Sequence, residues 1–182
     1  MLTPRAGPLR VFFALWPDAA ARGRMAALAR DVARQSGGRE PRPENHHVTL
    51  AFVGEVASAR IADLERVGAA AAQSAGPFTL SLDRLGGFRA TGIAWLGTGL
   101  LPPELGRLVQ ALRDALAAAA FPVERRPYRA HVTLARHCRA VAPAAVEPVT
   151  WRVDRVTLAA SELRPEGSRY RELAAWPLAR ML

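Results

Sequence analysis

The 182-residue sequence contains no lysine; all 25 of its basic residues are arginine. A Walker-type phosphate loop is thereby excluded, because its lysine must reach the β- and γ-phosphates. Schiff-base and lysyl-adenylate chemistry is excluded as well, because both need a lysine amine as nucleophile. Arginine stays charged and presents a planar fork of donors, so it can bind phosphate oxygens but cannot act as a base. Part of the bias is genomic, since abundant alanine with arginine in place of lysine is what GC-rich coding produces. Cysteine is nearly absent too. Cys138 stands alone, which rules out an intrachain disulfide and suits a reducing cytoplasm; it reads as a packing residue. Nothing approaches the roughly 18 consecutive apolar residues of a membrane span. Arg5 and Arg10 followed by Val11 to Trp16 imitate a secretory signal, but this short apolar run is stopped by Pro17 and Asp18 and reads as a strand.

What is present is an ordinary globular composition, 50% hydrophobic and 23% charged, with a net charge of +9. The length suits a single domain over 1–182, or two small lobes around a shared interface. The positive charge favours a polyanionic partner such as nucleic acid, with simple solubility as the alternative. The arginines are scattered, and only Arg125, Arg126 and Arg129 form a small cluster.

The pattern predicts a strand from Val11 to Trp16, a helix from Ala19 to Gln35 stopped at Ser36-Gly37-Gly38, and a strand from His46 to Gly54. Ser58 is the expected N-cap of a second helix with Ile61, Leu64, Val67 and Ala71 on one face. Phe78, Leu80 and Leu82 alternate with polar residues as a strand, and turns are expected at Gly86-Gly87 and Thr91-Gly92 before a strand from Ile93 to Leu96. Pro102-Pro103-Glu104 opens a third helix that ends near Ala120. Strands follow from Tyr128 to Arg136, from Thr150 to Leu163 and, after a turn at Pro165-Glu166-Gly167-Ser168, from Tyr170 to Trp176. The class is α+β, with hairpinned strands and three helices lying on them.

One pentapeptide occurs twice. His-Val-Thr-Leu-Ala stands at 47–51 and again at 131–135. In a strand, His47 and Thr49 share one face, roughly 6–7 Å apart at about 3.3 Å per residue, and His131 and Thr133 do the same. Two such strands brought together would gather two imidazoles and two hydroxyls in one cleft. That set suits phosphodiester cleavage: one neutral histidine can take a proton from water while the other, protonated, delivers one to the leaving oxygen. The threonine hydroxyls can donate to phosphate oxygens. By the same alternation, Arg136 falls on the face opposite His131 unless the strand twists or bulges. A single copy would read as a hydrogen-bonded strand histidine, but the two copies use two of only four histidines.

Three other readings compete. A metal site would have to gather His46, His47, His131 and His137, yet adjacent His46 and His47 point to opposite faces of a strand and no acidic or cysteine spacing assists. A non-catalytic single-stranded RNA-binding module could use Phe13, Trp16, Phe52 and Trp95 as stacking faces. A relative acting on small cyclic nucleotides could use the same histidines.

His47-Val48-Thr49-Leu50 and His131-Val132-Thr133-Leu134 resemble the paired His-x-Thr-x motifs of the two-histidine (2H) phosphoesterases, and the 84-residue separation is of the right order. Arg10 to Leu15, Asn45 to Val56, Trp95-Leu96-Gly97 and His131 to Arg136 resemble, in order, the RNA 2′,3′-cyclic phosphodiesterase branch, also called 2′-5′ RNA ligase. Ala130 departs from it where proline often precedes the second histidine. The resemblance implies two pseudo-symmetric lobes of antiparallel sheet, with helices on the outer faces and the motifs in a central cleft. It also implies hydrolysis of RNA 2′,3′-cyclic phosphate ends, tRNA fragments among them, to 2′-phosphomonoesters, with no metal or cofactor. His47 would be the proton donor and His131 the acceptor, with Thr49 and Thr133 on the phosphate and Phe52 and Arg136 as candidate RNA contacts. A cytoplasmic monomer that needs no protein partner is expected, capable of ATP-independent end joining by the reverse chemistry.

Overall fold

The computed structural model describes residues 7–165 and 167–179; Arg5 and Glu166 of the predicted segments lie outside them. Eight strands and three helices follow one another as β1 (Leu9–Leu15), α1 (Ala19–Ser36), β2 (Val48–Val56), α2 (Ile61–Ala72), β3 (Phe78–Phe88), β4 (Ile93–Gly97), α3 (Pro103–Ala118), β5 (His131–Ala135), β6 (Ala144–Val153), β7 (Arg155–Arg164) and β8 (Gly167–Pro177). They form two four-stranded antiparallel sheets, ordered β2-β1-β7-β8 and β5-β4-β3-β6. This is the α+β, two-lobed architecture expected. The strand carrying each motif is an edge strand of its sheet.

The first helix starts and stops where the sequence indicates. Asp18 accepts a hydrogen bond from the Ala21 amide at 2.8 Å, and Gly37 takes the left-handed conformation (φ 70°) that ends the helix. Its buried face, Met25, Ala29, Val32 and Ala33, packs on β5 and β6 of the second sheet, whereas α3, which joins β4 to β5, packs on β2 of the first. Each of these connecting helices therefore lies against the motif strand of the opposite lobe. Helices α2 and α3 pack on each other as well, and Leu64, Val67, Leu108 and Leu112 on their apolar faces are all buried.

Several boundaries differ from the sequence pattern, each for a physical reason. The strand predicted over Thr150 to Leu163 is two strands in different sheets, parted at Asp154. In β6, Val149, Trp151 and Val153 alternate between buried and exposed neighbours, while Val156 to Ala160 of β7 are all buried because that strand is central in its sheet. Gly86-Gly87 is not a turn. Strand β3 runs through to Phe88, and the reversal follows with Gly92 at φ 62°. Gly86 pairs with Trp95, and a Cβ at position 86 would lie 2.3 Å from the indole, so the glycine makes room for a ring. Ser58 does not cap α2. A 3-10 turn, Ser58–Arg60, intervenes, and the Ser58 hydroxyl donates instead to the Gly7 carbonyl at 3.1 Å. Strand β5 is shorter than Tyr128 to Arg136; Arg136 lies just past its end, joined to Arg39 by an isolated two-way backbone bridge. Cys138 packs, half-buried, against the core.

Candidate active site

A 3-10 turn over Pro43–Asn45 delivers the chain to His46 and His47 just before β2. The two adjacent imidazoles then part. His46 is buried, at 1% exposure, and neither of its ring nitrogens has a hydrogen-bond partner among the described residues, whereas His47 lines a cavity of about 690 Å³ between the sheets. That separation removes the pair from any shared metal site. Thr49, His131 and Thr133 line the same cavity, so residues of both copies of the motif face one space.

The two histidines are held alike. His47 Nδ1 donates to the Asn45 carbonyl and His131 Nδ1 to the Arg129 carbonyl, both at 2.7 Å and both two residues upstream. A carbonyl can only accept, so each neutral ring carries its proton on Nδ1 and keeps Nε2 for chemistry. In His47 that Nε2 lies 3.0 Å from Thr49 Oγ1, the neutral nitrogen accepting from the hydroxyl. Asn45 is itself anchored, its Nδ2 donating to the Ser168 carbonyl at 2.7 Å, which ties the first motif to the β7–β8 hairpin.

Phe52 and Arg136 also line the cavity, which simple alternation would not allow for either. The register explains it. Phe13 pairs with Ala51 but Ala14 with Thr49, leaving Leu50 as an extra residue; Ala94 pairs with Ala135 but Trp95 with Thr133, leaving Leu134 extra. A bulge of this kind reverses the parity downstream. Both motif strands bulge at the leucine after the threonine, so the residue five beyond each histidine returns to the cavity. In one strand this is Phe52, 49% exposed with the Arg10 guanidinium 4.9 Å from its ring centroid, and just past the end of the other it is Arg136. Of the remaining stacking candidates, Phe13 is fully buried and Trp95 faces Gly86, while Trp16 packs on His47.

A sequence profile of the 2′-5′ RNA ligase superfamily matches residues 16–164. The chain belongs to that superfamily. An RNA 2′,3′-cyclic phosphodiesterase of Escherichia coli is 30% identical over 173 residues, spanning 94% of this chain and 97% of its own. One from Thermus thermophilus is 29% identical over 182 residues, spanning 93% and 90%. Among solved structures, Escherichia coli LigT complexed with 3′-AMP superposes with a TM-score of 0.86 at 30% identity, covering 95% of this chain and 99% of that one.

In this member of the 2′-5′ RNA ligase superfamily the two histidines have unequal surroundings. His47 sits among Phe12, Trp16 and Tyr170, with ring centroids 5.1, 5.2 and 5.0 Å away; His131 has Phe88 edge-on at 5.3 Å. Burial pushes the His47 pKa down to about 4; the Asn45 carbonyl opposes the shift, and positive charge at His131, His46 and Arg136 adds to it. Sequence reasoning missed Phe12 and Tyr170 in this enclosure, and Arg39 and Arg42 on the cavity wall. Phe12 and Tyr170 come from β1 and β8, and no local pattern connects them to His47. The Arg125, Arg126 and Arg129 cluster lies off the cavity, with Arg126 paired to Glu124.

Proposed function

We propose that the chain hydrolyses RNA 2′,3′-cyclic phosphate ends to 2′-phosphomonoesters by metal-free acid–base catalysis. The observation that carries this reading is the convergence of His47 and His131 in one cavity, each held by Nδ1 with Nε2 left for proton transfer. His131 Nε2 takes a proton from water as its oxygen attacks phosphorus. The P–O3′ bond breaks, and His47 Nε2–H delivers its proton to O3′. The 2′ ester survives, and both rings end with protonation states exchanged. Thr49 and Thr133 donate to the non-bridging oxygens, Arg136 balances the phosphate charge, and Phe52 offers a ring face to the terminal base. An RNA 5′-hydroxyl in place of water would give a 2′-5′ linkage by the same exchange, without ATP. Both histidines come from one chain, so a monomer suffices and no protein partner is required. The lone Cys138 is compatible with work in the cytoplasm.

The test is incubation with an oligonucleotide ending in a 2′,3′-cyclic phosphate and identification of the product. A 2′-phosphate is expected, unaffected by a chelator. His47→Ala and His131→Ala should each lower the rate by about 10²–10⁴-fold, the usual contribution of one proton transfer, while circular dichroism stays unchanged. Full activity in either variant, or a 3′-phosphate product, defeats the assignment. Binding that ignores the cyclic end, with no turnover, would favour the non-catalytic RNA-binding reading.

A further inference from the structure

Beside the histidine cavity lies a second hollow of about 620 Å³, whose walls include Trp16, Arg22, Arg42, Arg169 and Tyr170. Arg42, Asn45, Ser168 and Tyr170 line both spaces, so the two are contiguous. The partition between them is thin: the Asn45–Ser168 hydrogen bond, and the Trp16 and Tyr170 rings that pack on His47. A group leaving the histidines over this partition enters the second hollow directly.

The hollow's charge is unbalanced. Arg22, Arg42 and Arg169 have no carboxylate within ion-pair distance among the described residues, although Arg169 stands opposite Glu162 across the β7–β8 ladder and helps to lower its pKa. Of the two acidic residues on its walls, Glu172 is already held through both oxygens by Arg155 at 3.0 Å, which leaves Glu44 alone against three guanidinium groups. Arg10, at the far side of the histidine cavity, is by contrast already placed over the Phe52 ring. Guanidinium forks match phosphate oxygens, and exposed ring surface holds a base or sugar whatever its sequence. An RNA end whose terminal ribose sits at the histidines must carry its chain away through its own 5′ phosphate.

We propose that this second hollow binds the phosphodiester and nucleoside immediately 5′ to the cyclic end, with Arg22 and Arg169 on the phosphate and Trp16 and Tyr170 beside the nucleoside. The assignment rests on the cyclic phosphodiesterase reading of the neighbouring cavity. It makes the enzyme a reader of RNA ends rather than of free cyclic mononucleotides, because only a chain of two or more nucleotides can occupy both spaces.

The experiment compares kcat/KM for a mononucleoside 2′,3′-cyclic phosphate with that for a dinucleotide carrying the same cyclic end, in the wild type and in the Arg22→Ala/Arg169→Ala double variant. The wild type should prefer the dinucleotide by about tenfold or more at low salt, the size expected of charged hydrogen bonds to one phosphate. That preference should shrink as salt rises. The double variant should lose it while hydrolysing the mononucleotide within about twofold of the wild-type rate. An undiminished dinucleotide preference in the variant, or no preference in the wild type, overturns the proposal while leaving the mononucleotide activity as separate support for the histidine mechanism. Absence of turnover on either substrate would overturn the underlying reading instead.

Discussion

His47 has to be protonated to act as the proposed donor, yet in the free cavity its pKa is near 4 and at neutral pH it is almost entirely neutral. The two facts are reconciled by the substrate's own charge. Burial disfavours the imidazolium and nearby cations add to the effect, so a phosphate anion a few ångströms away pushes in the opposite direction. Protonation of Nε2 also ends its acceptance from Thr49, whose hydroxyl is then free to turn toward the phosphate. Substrate binding would thus arm the acid and release the threonine in one step. The His47 ring should titrate near pH 4 by NMR in the free protein and move upward when inorganic phosphate or a 2′-nucleotide is added. A midpoint unmoved by saturating phosphate would count against His47 as donor and favour the exchanged assignment. The histidine–threonine pairs were legible from two pentapeptides because strand alternation is local. The depressed pKa was not, because it comes from rings contributed by β1 and β8.

At the scale of elements, the site depends on how two edge strands from different sheets are kept in register. They share no ladder hydrogen bonds; each belongs to its own sheet. One direct tie is Tyr128, three residues before the second histidine, whose hydroxyl donates to the Thr49 carbonyl at 3.0 Å. It links the approach to one motif with the backbone of the other, and burial raises its pKa well above the ordinary tyrosine range, so the hydroxyl keeps its proton across the working pH range. Tyr128→Phe deletes that tie and leaves the ring. The expected result is a fall in kcat of about two- to tenfold with KM little changed, since small misplacements of catalytic groups are costly. Only about 1 kcal/mol of stability should be lost with the hydrogen bond. Wild-type kcat in this variant, whatever its melting point, would reduce Tyr128 to a packing residue. Strand and helix order could be read from periodicity and caps such as Asp18 and Gly37. Three things could not. The break at Asp154 falls within apparently continuous β sequence, Gly86-Gly87 looks like a turn unless Trp95 is known to lie opposite, and the bulges at Leu50 and Leu134 leave no mark in composition although they decide where Phe52 and Arg136 point.

For the molecule as a whole, the absence of lysine leaves arginine as the strongly basic side chain, and the groups whose charge changes on the acid side of neutrality are the histidines and carboxylates. Many of the arginine–carboxylate pairs, such as Arg126–Glu124 and Arg155–Glu172, are solvent-exposed and contribute little. Glu124 and Glu162 are pulled down by Arg126 and Arg164 respectively, so the stability they carry is present above the ordinary carboxylate range and is lost only as the pH falls below it. His46 and His47 act earlier. Burial depresses both below the ordinary histidine value, His47 to about 4, so as the pH falls below about 6.5 the unfolded chain takes up protons that the native state refuses. Their contribution is complete above about pH 6.5 and falls as the pH drops below it, that of His47 draining away as the pH approaches 4. His46 separates this effect from catalysis, because its buried ring has no described hydrogen-bond partner and faces away from the cavity. The wild-type melting temperature should drop between pH 7 and 4.5. His46→Phe should be at least as stable at pH 7, where it removes two unsatisfied buried nitrogens, and should show a shallower decline over the same interval. Equal slopes in thermal melts of the two proteins would mean that His46 is hydrated in solution, and the acid sensitivity would then have to be sought in His47 alone.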